Sequence, residues 1–379
     1  MRETPSRMAV GDLRRVRITG ISSPQLAWAL GREISLPASL LASIGAPAGA
    51  SELDLRGVEP PHLNGLADDL RVRAAFTDRT PHSARIPFTY QYVPPRVRSF
   101  IARQIGRRLR TRAGQWARFP SWPLDLSADF VADWLSGAAG GVDAVPVLLT
   151  HDIDSAGRLR NLVELFLPLE EAVGARSTSY VVPRAWKLDH GLLREAVARG
   201  HEIGVHGYDH SNRTPFLDRA ERRRRLASGR AALEAYSPAG YRAPSLVRTS
   251  GLLADLADYF EYDSSIPTSG GPFPTPNNGC ATARPFRIGR TLEIPISLRR
   301  DGMAQFLGYS PREIGRMWTE DARAIAAARG VAVLLTHCER RFSGNPPMLS
   351  AYREFLEFVT ATPQLTWSLA SRVARTAWT

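Results

Sequence analysis

Two carboxylates stand two residues apart in Thr150-His-Asp-Ile-Asp154. In an extended chain they point the same way, and beside a divalent cation one can serve as a ligand while the other accepts a proton. Alone, Asp-x-Asp is equally well explained by a turn or a helix cap. A second cluster, His201-Glu-Ile-Gly-Val-His206-Gly-Tyr-Asp-His210, sets His206 and His210 four apart, on one face if this stretch is helical. Imidazole is the commonest protein ligand for zinc-like ions, and the chain has only eight histidines to spend. Asp154, His206 and His210 would make a three-ligand set that leaves positions open, as a catalytic centre requires. Tyr241-Arg-Ala-Pro-Ser245 supplies Arg242, which beside Asp152 would keep that carboxylate ionised and oriented. Leu334-Leu-Thr-His337 ends an apolar run in a histidine, where a buried ring needs a partner. The plainer readings are a surface ion pair for Arg242 and a satisfied core histidine for His337.

These residues need elements to position them. Apolar runs and helical periodicity predict strands at 145–150, 178–182, 202–205, 292–296, 331–335 and 365–367. Helices are expected between them, at 159–173, 191–198, 216–236, 311–328 and 349–359. Strands alternating with helices argue for parallel α/β architecture, in which reactive groups gather at the carboxyl ends of strands. Asp152, His206 and His337 all follow such runs.

Ser136 to Val142, reading SGAAGGV, looks like a flexible connector. It divides the chain into an N-terminal extension or small domain, 1–140, of unknown fold, and a regular region, 143–379. Prolines at 47, 60 and 61 break up the first part. Residues 96–118 are its exception: Val97, Ile101, Ile105 and Leu109 share one helical face, and Arg96, Arg103, Arg107 and Arg110 occupy the rest. A surface helix with a solvated basic face accounts for this. The sharper reading is a docking surface for a phosphorylated or lipid-linked substrate, with peripheral contact to a membrane surface. Phe119 to Asp125, aromatic and proline-rich, reads as a rigid arm.

The composition is that of a globular protein, 44% hydrophobic and 23% charged, with a formal net charge of +12 carried almost wholly by arginine. A basic chain favours anionic partners, but no nucleic-acid-binding motif accompanies the charge, so no nucleic acid is expected. The first fifteen residues are polar with no apolar targeting core, and no apolar run approaches the ~20 residues that span a bilayer. Cys280 and Cys338 are too few for a disulfide framework. Together these predict a cytoplasmic protein, with peripheral contact to the inner membrane face as an option.

The order Thr-x-Asp-x-Asp, His-x3-His, Arg-x-Pro and Leu-Leu-x-His resembles the polysaccharide deacetylases with the NodB homology domain, over roughly 143–379. The resemblance implies a deformed (β/α) barrel and a metal-dependent hydrolase that removes an acyl group, acetyl foremost, from an N-acylated sugar. It implies Asp152 as the base, Asp154, His206 and His210 as metal ligands, Arg242 as the arginine that positions the base, and His337 as the general acid. Tyr208, Pro244 and Ser245 fall where substrate would be bound, with a backbone N–H near Ser245 as an oxyanion donor. The cofactor implied is a divalent ion, zinc by preference, with cobalt or nickel able to serve. This chain departs from the common pattern in three ways. Ile153 separates aspartates that are usually adjacent, Ser245 replaces a frequent aromatic, and either Asp263 or Asp301 could tune the acid histidine. A carbohydrate or lipid-linked sugar is the expected substrate. Rival readings are an allantoinase-like or deformylase-type amide hydrolase on the same barrel, and a glycan-binding protein without catalysis.

Overall fold

The computed structural model describes residues 124–136, 144–268 and 279–376 without interruption, and shorter segments between 13 and 113. Strands β1 (Leu13–Thr19), β2 (Ile34–Pro37) and β3 (Glu52–Asp54) form a three-stranded sheet in the order β2-β1-β3. Helices α1 (Leu66–Val72), α2 (His82–Arg85), α3 (Pro95–Ala113) and α4 (Ser127–Ser136) follow. The connector after Ser136, the 114–118 end of the basic helix and most of the aromatic arm lie outside the described residues.

The large sheet holds β4 (Val145–Ile153), β5 (Ser177–Val181), β6 (Glu202–Val205), β7 (Gly240–Tyr241), β8 (Tyr262–Asp263), β9 (Phe286–Ile288), β10 (Thr291–Glu293), β11 (Ala332–Thr336) and β12 (Leu365–Trp367). Its order is β11-β4-β5-β6-β7-β8-β10-β9, with β12 also on β4, and every pairing but β9 with β10 is parallel. Beyond β10 the chain runs on along the gap. Ile294 N–H donates to Asp263, Ile296 N–H to Ile266 and Leu298 N–H to Val333, all through backbone carbonyls. That stitching carries the sheet round from β8 to β11 and makes it a deformed (β/α) barrel, as the resemblance implied; the parallel pairing follows the alternation of strands and helices.

Helices α5 (Ala156–Asn161), α6 (Leu167–Ala172), α7 (His190–Ala198), α8 (Arg219–Ala231), α9 (Ser250–Leu256), α10 (Asp301–Phe306), α11 (Pro311–Ala327), α12 (Pro346–Thr360) and α13 (Ala370–Arg375) connect or follow the strands. Local chemistry sets their starts. Ser310 and Glu313 close a capping box ahead of Pro311, and the Asn345 side chain accepts from Met348 N–H ahead of Pro346. Between α5 and α6 a π turn, Leu162–Phe166, keeps the segment helical across the expected 159–173.

The period of two along each strand sorts side chains into two layers. Val145, Val147, Leu149 and Ile153 of β4 face outward, into a core shared with Phe166, Trp318, Tyr352 and Phe355. Leu148 faces inward with Tyr180, Tyr262, Leu292, Ile294, Val331 and Val333, filling the barrel. Each such fully buried large side chain contributes about 1.5–3 kcal/mol against exposure. Two glycines make room for the inward tyrosines. A Cβ at Gly204 would lie 2.7 Å from the Tyr180 ring, and one at Gly240 would lie 2.1 Å from that of Tyr262. The two hydroxyls meet at 3.2 Å.

Residues 124–136 are built into this body. Leu124 and Leu126 belong to the outer core, Ala128 N–H donates to the Ala281 carbonyl at 2.9 Å, and Asp129 accepts from Ala283 N–H at 2.8 Å. Helix α3 packs on α10 through small residues. A Cβ at Gly106 would lie 2.1 Å from the Phe306 carbonyl oxygen, and Ser99 accepts from Arg341 at 3.4 Å. Its periodic apolar residues, the natural candidates for burial, face the other way. Val97, Phe100, Ile101 and Ile105 are 46%, 63%, 52% and 43% exposed. Among the described residues, no helix is long and apolar enough to cross a membrane.

Candidate functional site

The inward rows of the barrel end in the residues singled out above. Leu148, Thr150 and Asp152 follow one another along the inner face of β4. His206 is two beyond Gly204 of β6, Arg242 two beyond Gly240 of β7, and His337 continues the row of Val333 and Leu335 on β11. All four lie at the carboxyl ends of parallel strands, where such folds place their chemistry.

Asp152 is held from several sides. Its Oδ1 accepts from Arg242 Nη1 at 3.1 Å, and its Oδ2 lies 3.5 Å from His206 Nε2. Burial alone would raise its pKa, but His206, Arg242 and His337 around it outweigh that and hold the carboxyl well below the usual range. Arg242 is itself fully buried. It donates to the Ser264 carbonyl at 2.9 Å, the Ser264 hydroxyl at 3.0 Å and Thr150 Oγ1 at 3.0 Å, and lies 4.0 Å over the Tyr180 ring. A guanidinium so fully committed is not the surface ion pair of the plainer reading.

Asp154, His206 and His210 present ligand atoms that all lie within 4.8 Å of one another. Asp154 Oδ1 is 3.7 Å from His206 Nε2, and its Oδ2 is 3.4 Å from His210 Nε2. Ligands ~2.0–2.2 Å from a tetrahedral zinc stand ~3.3 Å apart, so these spacings fit such an ion. His206 Nδ1 is 3.0 Å from the Arg242 carbonyl, which can only accept; the proton is therefore on Nδ1, and Nε2 offers its lone pair. Burial lowers the His210 pKa to about 4, keeping that ring neutral at physiological pH, as a ligand must be. The donor set fits a divalent cation. This stretch is not helical, so the two histidines do not meet through a helical turn. The chain bends after β6, with Gly207 and His210 in the left-handed region at φ 67° and 57°.

Arg158, one turn into the helix after Asp154, was not foreseen. Its Nη1 pairs with Asp154 Oδ2 at 2.7 Å and donates to the Asp152 carbonyl at 3.2 Å, and its Nε pairs with Glu339. The signal was the i, i+4 spacing from Asp154 behind the Ser155 cap.

His337 faces this group from the neighbouring strand. Its Nδ1–H donates to Asp301 Oδ1 at 2.7 Å, its backbone N–H donates to Oδ2 at 2.7 Å, and Ser343 donates to the same oxygen at 2.7 Å. Burial opposes the charged ring, but the Asp301 carboxylate overrides it and raises the His337 pKa. Of the two candidates for this partner, Asp301 occupies the place. Asp263 instead accepts from Ser265 at 2.6 Å, and Ser265 in turn accepts from Ala243 N–H at 2.8 Å. Burial pushes Asp263 up to about 6, and burial with repulsion from Asp263 raises Glu293 well above the usual carboxylate range. That pair braces the loop after β7 rather than tuning the acid.

Replacing Asp301 with Asn should therefore shift a pH profile in a definite direction. His337 stays protonated below its raised pKa and loses the proton as pH rises through it. Without the carboxylate that pKa falls, so the basic limb of kcat/KM should move down by about one pH unit or more. An unmoved limb would show that His337 does not govern it.

Pro244 and Ser245 sit on that braced loop. Pro244 fills the space above Gly207, where a Cβ would lie 2.4 Å from its ring. Ser245 and Leu246 adopt φ 51° and 56°, and the Ser245 hydroxyl accepts from Asn212, itself at φ 63°, at 3.2 Å. Such conformations cost about 1–3 kcal/mol each in unfavourable cases and cluster at functional sites. The N–H groups of Ala243, Leu246 and Val247 are engaged by Ser265, Ala243 and Pro244, and Pro244 has none to offer. Tyr208 is half-buried with the Arg225 guanidinium 5.0 Å over its ring, on the α8 side of the site.

Residues 140–259 match the polysaccharide deacetylase family model. This polysaccharide deacetylase stretch takes in Asp152, Asp154, His206, His210 and Arg242, and stops short of Asp301 and His337. A Mycobacterium smegmatis protein described as a polysaccharide deacetylase is 21% identical, over 62% of this chain and 91% of its own, with a TM-score of 0.49. PuuE allantoinase is 16% identical over 62% of this chain and 91% of its own, with a TM-score of 0.48. The chitin deacetylase of Colletotrichum lindemuthianum is 15% identical over 62% of this chain and 92% of its own, with a TM-score of 0.40. No curated protein sequence matches the chain. Cys280, ahead of β9, and Cys338, just after β11, are buried free thiols, as the sequence led one to expect.

Proposed function

We propose that this chain is a metal-dependent hydrolase that removes an acyl group, acetyl foremost, from the amide of an N-acylated sugar. The observation that carries the proposal is the facing arrangement at the barrel mouth. A buried, ionised Asp152 fixed by Arg242 lies beside the Asp154, His206 and His210 set, and His337 on the adjoining strand is held by Asp301. Asp154, His206 and His210 would hold a divalent cation, zinc by preference. When bound, such an ion supplies Lewis acidity, which makes water acidic enough to be deprotonated near neutral pH.

Asp152 takes the proton from the attacking water. Asp152 is ionised at pH 7, and Arg242 occupies its Oδ1, which leaves Oδ2, the oxygen nearer His206, for the water. His337, protonated through Asp301, gives its proton to the leaving amine. The acid and the base sit on adjacent paired strands, β11 and β4, so the amide would lie across that pair. The products are a carboxylate, acetate in the leading case, and a free amino sugar. We further propose that residues 1–140 are an N-terminal extension or accessory domain to the catalytic unit at 143–379, and that the sugar substrate is lipid-linked. Pro244, Ser245 and Tyr208 are proposed to line its approach.

An acetate-release screen tests the reading. Zinc-loaded protein should liberate acetate from at least one N-acetyl sugar and leave small ureides intact. Turnover of allantoin-like ureides with no acetate from any sugar would transfer the assignment to the rival amide hydrolase. No hydrolysis of either class by metal-loaded protein would leave a glycan-binding role in its place.

A further inference from the structure

Helix α3 presents three different faces. Ser99, Ala102 and Gly106 form a small-residue side, and this side rests on α10. Val97, Phe100, Ile101 and Ile105, at i, i+3, i+4 and i+8, form an apolar stripe turned outward. Arg96, Arg103 and Arg107 run along one edge of that stripe, and all three are exposed. The helix carries seven arginines and no carboxylate. The exposed large hydrophobic residues of the described chain are otherwise isolated: Val72 and Val197 lie far apart in sequence, whereas the remaining four share this one helix.

An outward apolar stripe bordered by arginine is the pattern of a helix lying in a membrane interface, where guanidinium groups reach headgroup phosphates while the stripe enters the acyl boundary. A second copy of the chain is a poorer occupant. A two-fold contact that pairs the helices antiparallel would set arginine edge against arginine edge, and any contact would join two copies that each carry a net charge of +12. Charge complementarity selects an anionic lipid surface.

The attachment point gives this surface a bearing on the site. Gly106 lies against the carbonyl of Phe306, at the end of the helix that begins with Asp301. Arg341, bonded to Ser99, lies 4.6 Å over the Phe342 ring, which is 5.0 Å from the His337 ring. We propose that α3 docks the protein on anionic bilayers and thereby sets the His337 side of the barrel mouth at the headgroup level. This deepens the proposed hydrolysis of a lipid-linked sugar and rests on it only for the substrate, not for the docking.

The test separates the two. Full-length protein is sedimented with phosphatidylcholine vesicles with and without phosphatidylglycerol, beside a Phe100→Ser/Ile101→Ser variant and an Arg103→Gln/Arg107→Gln variant. Binding should require phosphatidylglycerol, weaken between about 0.1 and 0.5 M salt, and fall by roughly tenfold or more in each variant. Acetate release from a water-soluble N-acetyl sugar should be unchanged in both. Absence of binding to anionic vesicles, or equal binding by the Phe100→Ser/Ile101→Ser variant, would overturn the proposal. So would a dimer of the native chain that this variant dissolves while vesicles stay unbound. None of the vesicle-binding results depends on whether hydrolysis is found.

Discussion

His206→Ala/His210→Ala is expected to leave purification without the roughly one divalent ion per chain that the native protein should carry or take up. Elemental analysis reads this directly, whatever the substrate proves to be. Both rings lie against Asp154, and His206 is held in its donor tautomer by the Arg242 carbonyl. Removing the pair deletes two of three ligands while the strand ends that carry them stay in place. Hydrolysis should fall at least ~10³-fold, since the Lewis acid and the water it polarises go together. The barrel should persist, because neither histidine belongs to the apolar core. Metal retained at native stoichiometry in this variant would remove Asp154, His206 and His210 as the site.

Asp152→Asn should behave differently: full metal, little turnover. A positioned base contributes typically 10²- to 10⁴-fold, and the amide cannot take the proton. Arg242 could still donate to the remaining carbonyl oxygen, so the surrounding geometry should survive. His337→Ala should lose a comparable factor with a different signature. Substrates whose leaving group needs no protonation should be spared in that variant alone. Near-native kcat in Asp152→Asn with metal bound would refute its role as base and move attention to Asp154.

Much of this site was legible because it follows strand ends. The runs at 145–150, 202–205 and 331–335 are apolar and short, and each is followed at once by a residue that cannot be buried cheaply. What escaped reading is instructive in physical terms. Strands β7 and β8 are two residues each and contain or face a glycine, so they carry no alternation to detect. The His206 to His210 spacing suggested a helical turn, but the left-handed backbone at Gly207 and His210 closes the same distance by another route. Arg158 carried a local signal, its i, i+4 spacing from Asp154, but not its pairing with Glu339 across the fold, and the choice of Asp301 over Asp263 as the partner of His337 needed the tertiary contact. In α3 the periodicity was sound, yet the side that packs is the one with the smallest residues. Close approach of two backbones, not apolar area, decided which face is inside.

The tyrosine pair inside the barrel has a consequence for traffic. Tyr180 and Tyr262, seated over Gly204 and Gly240 and joined through their hydroxyls, close the bore directly beneath Arg242. With Leu148, Leu292, Ile294, Val331 and Val333 they pack the bore among the described residues. In the proposed reaction, acid and amine would have to depart through the opening by which the substrate arrived. If that opening rests on a bilayer, the lipid-borne product has its exit at hand, and the small carboxylate must find the rim.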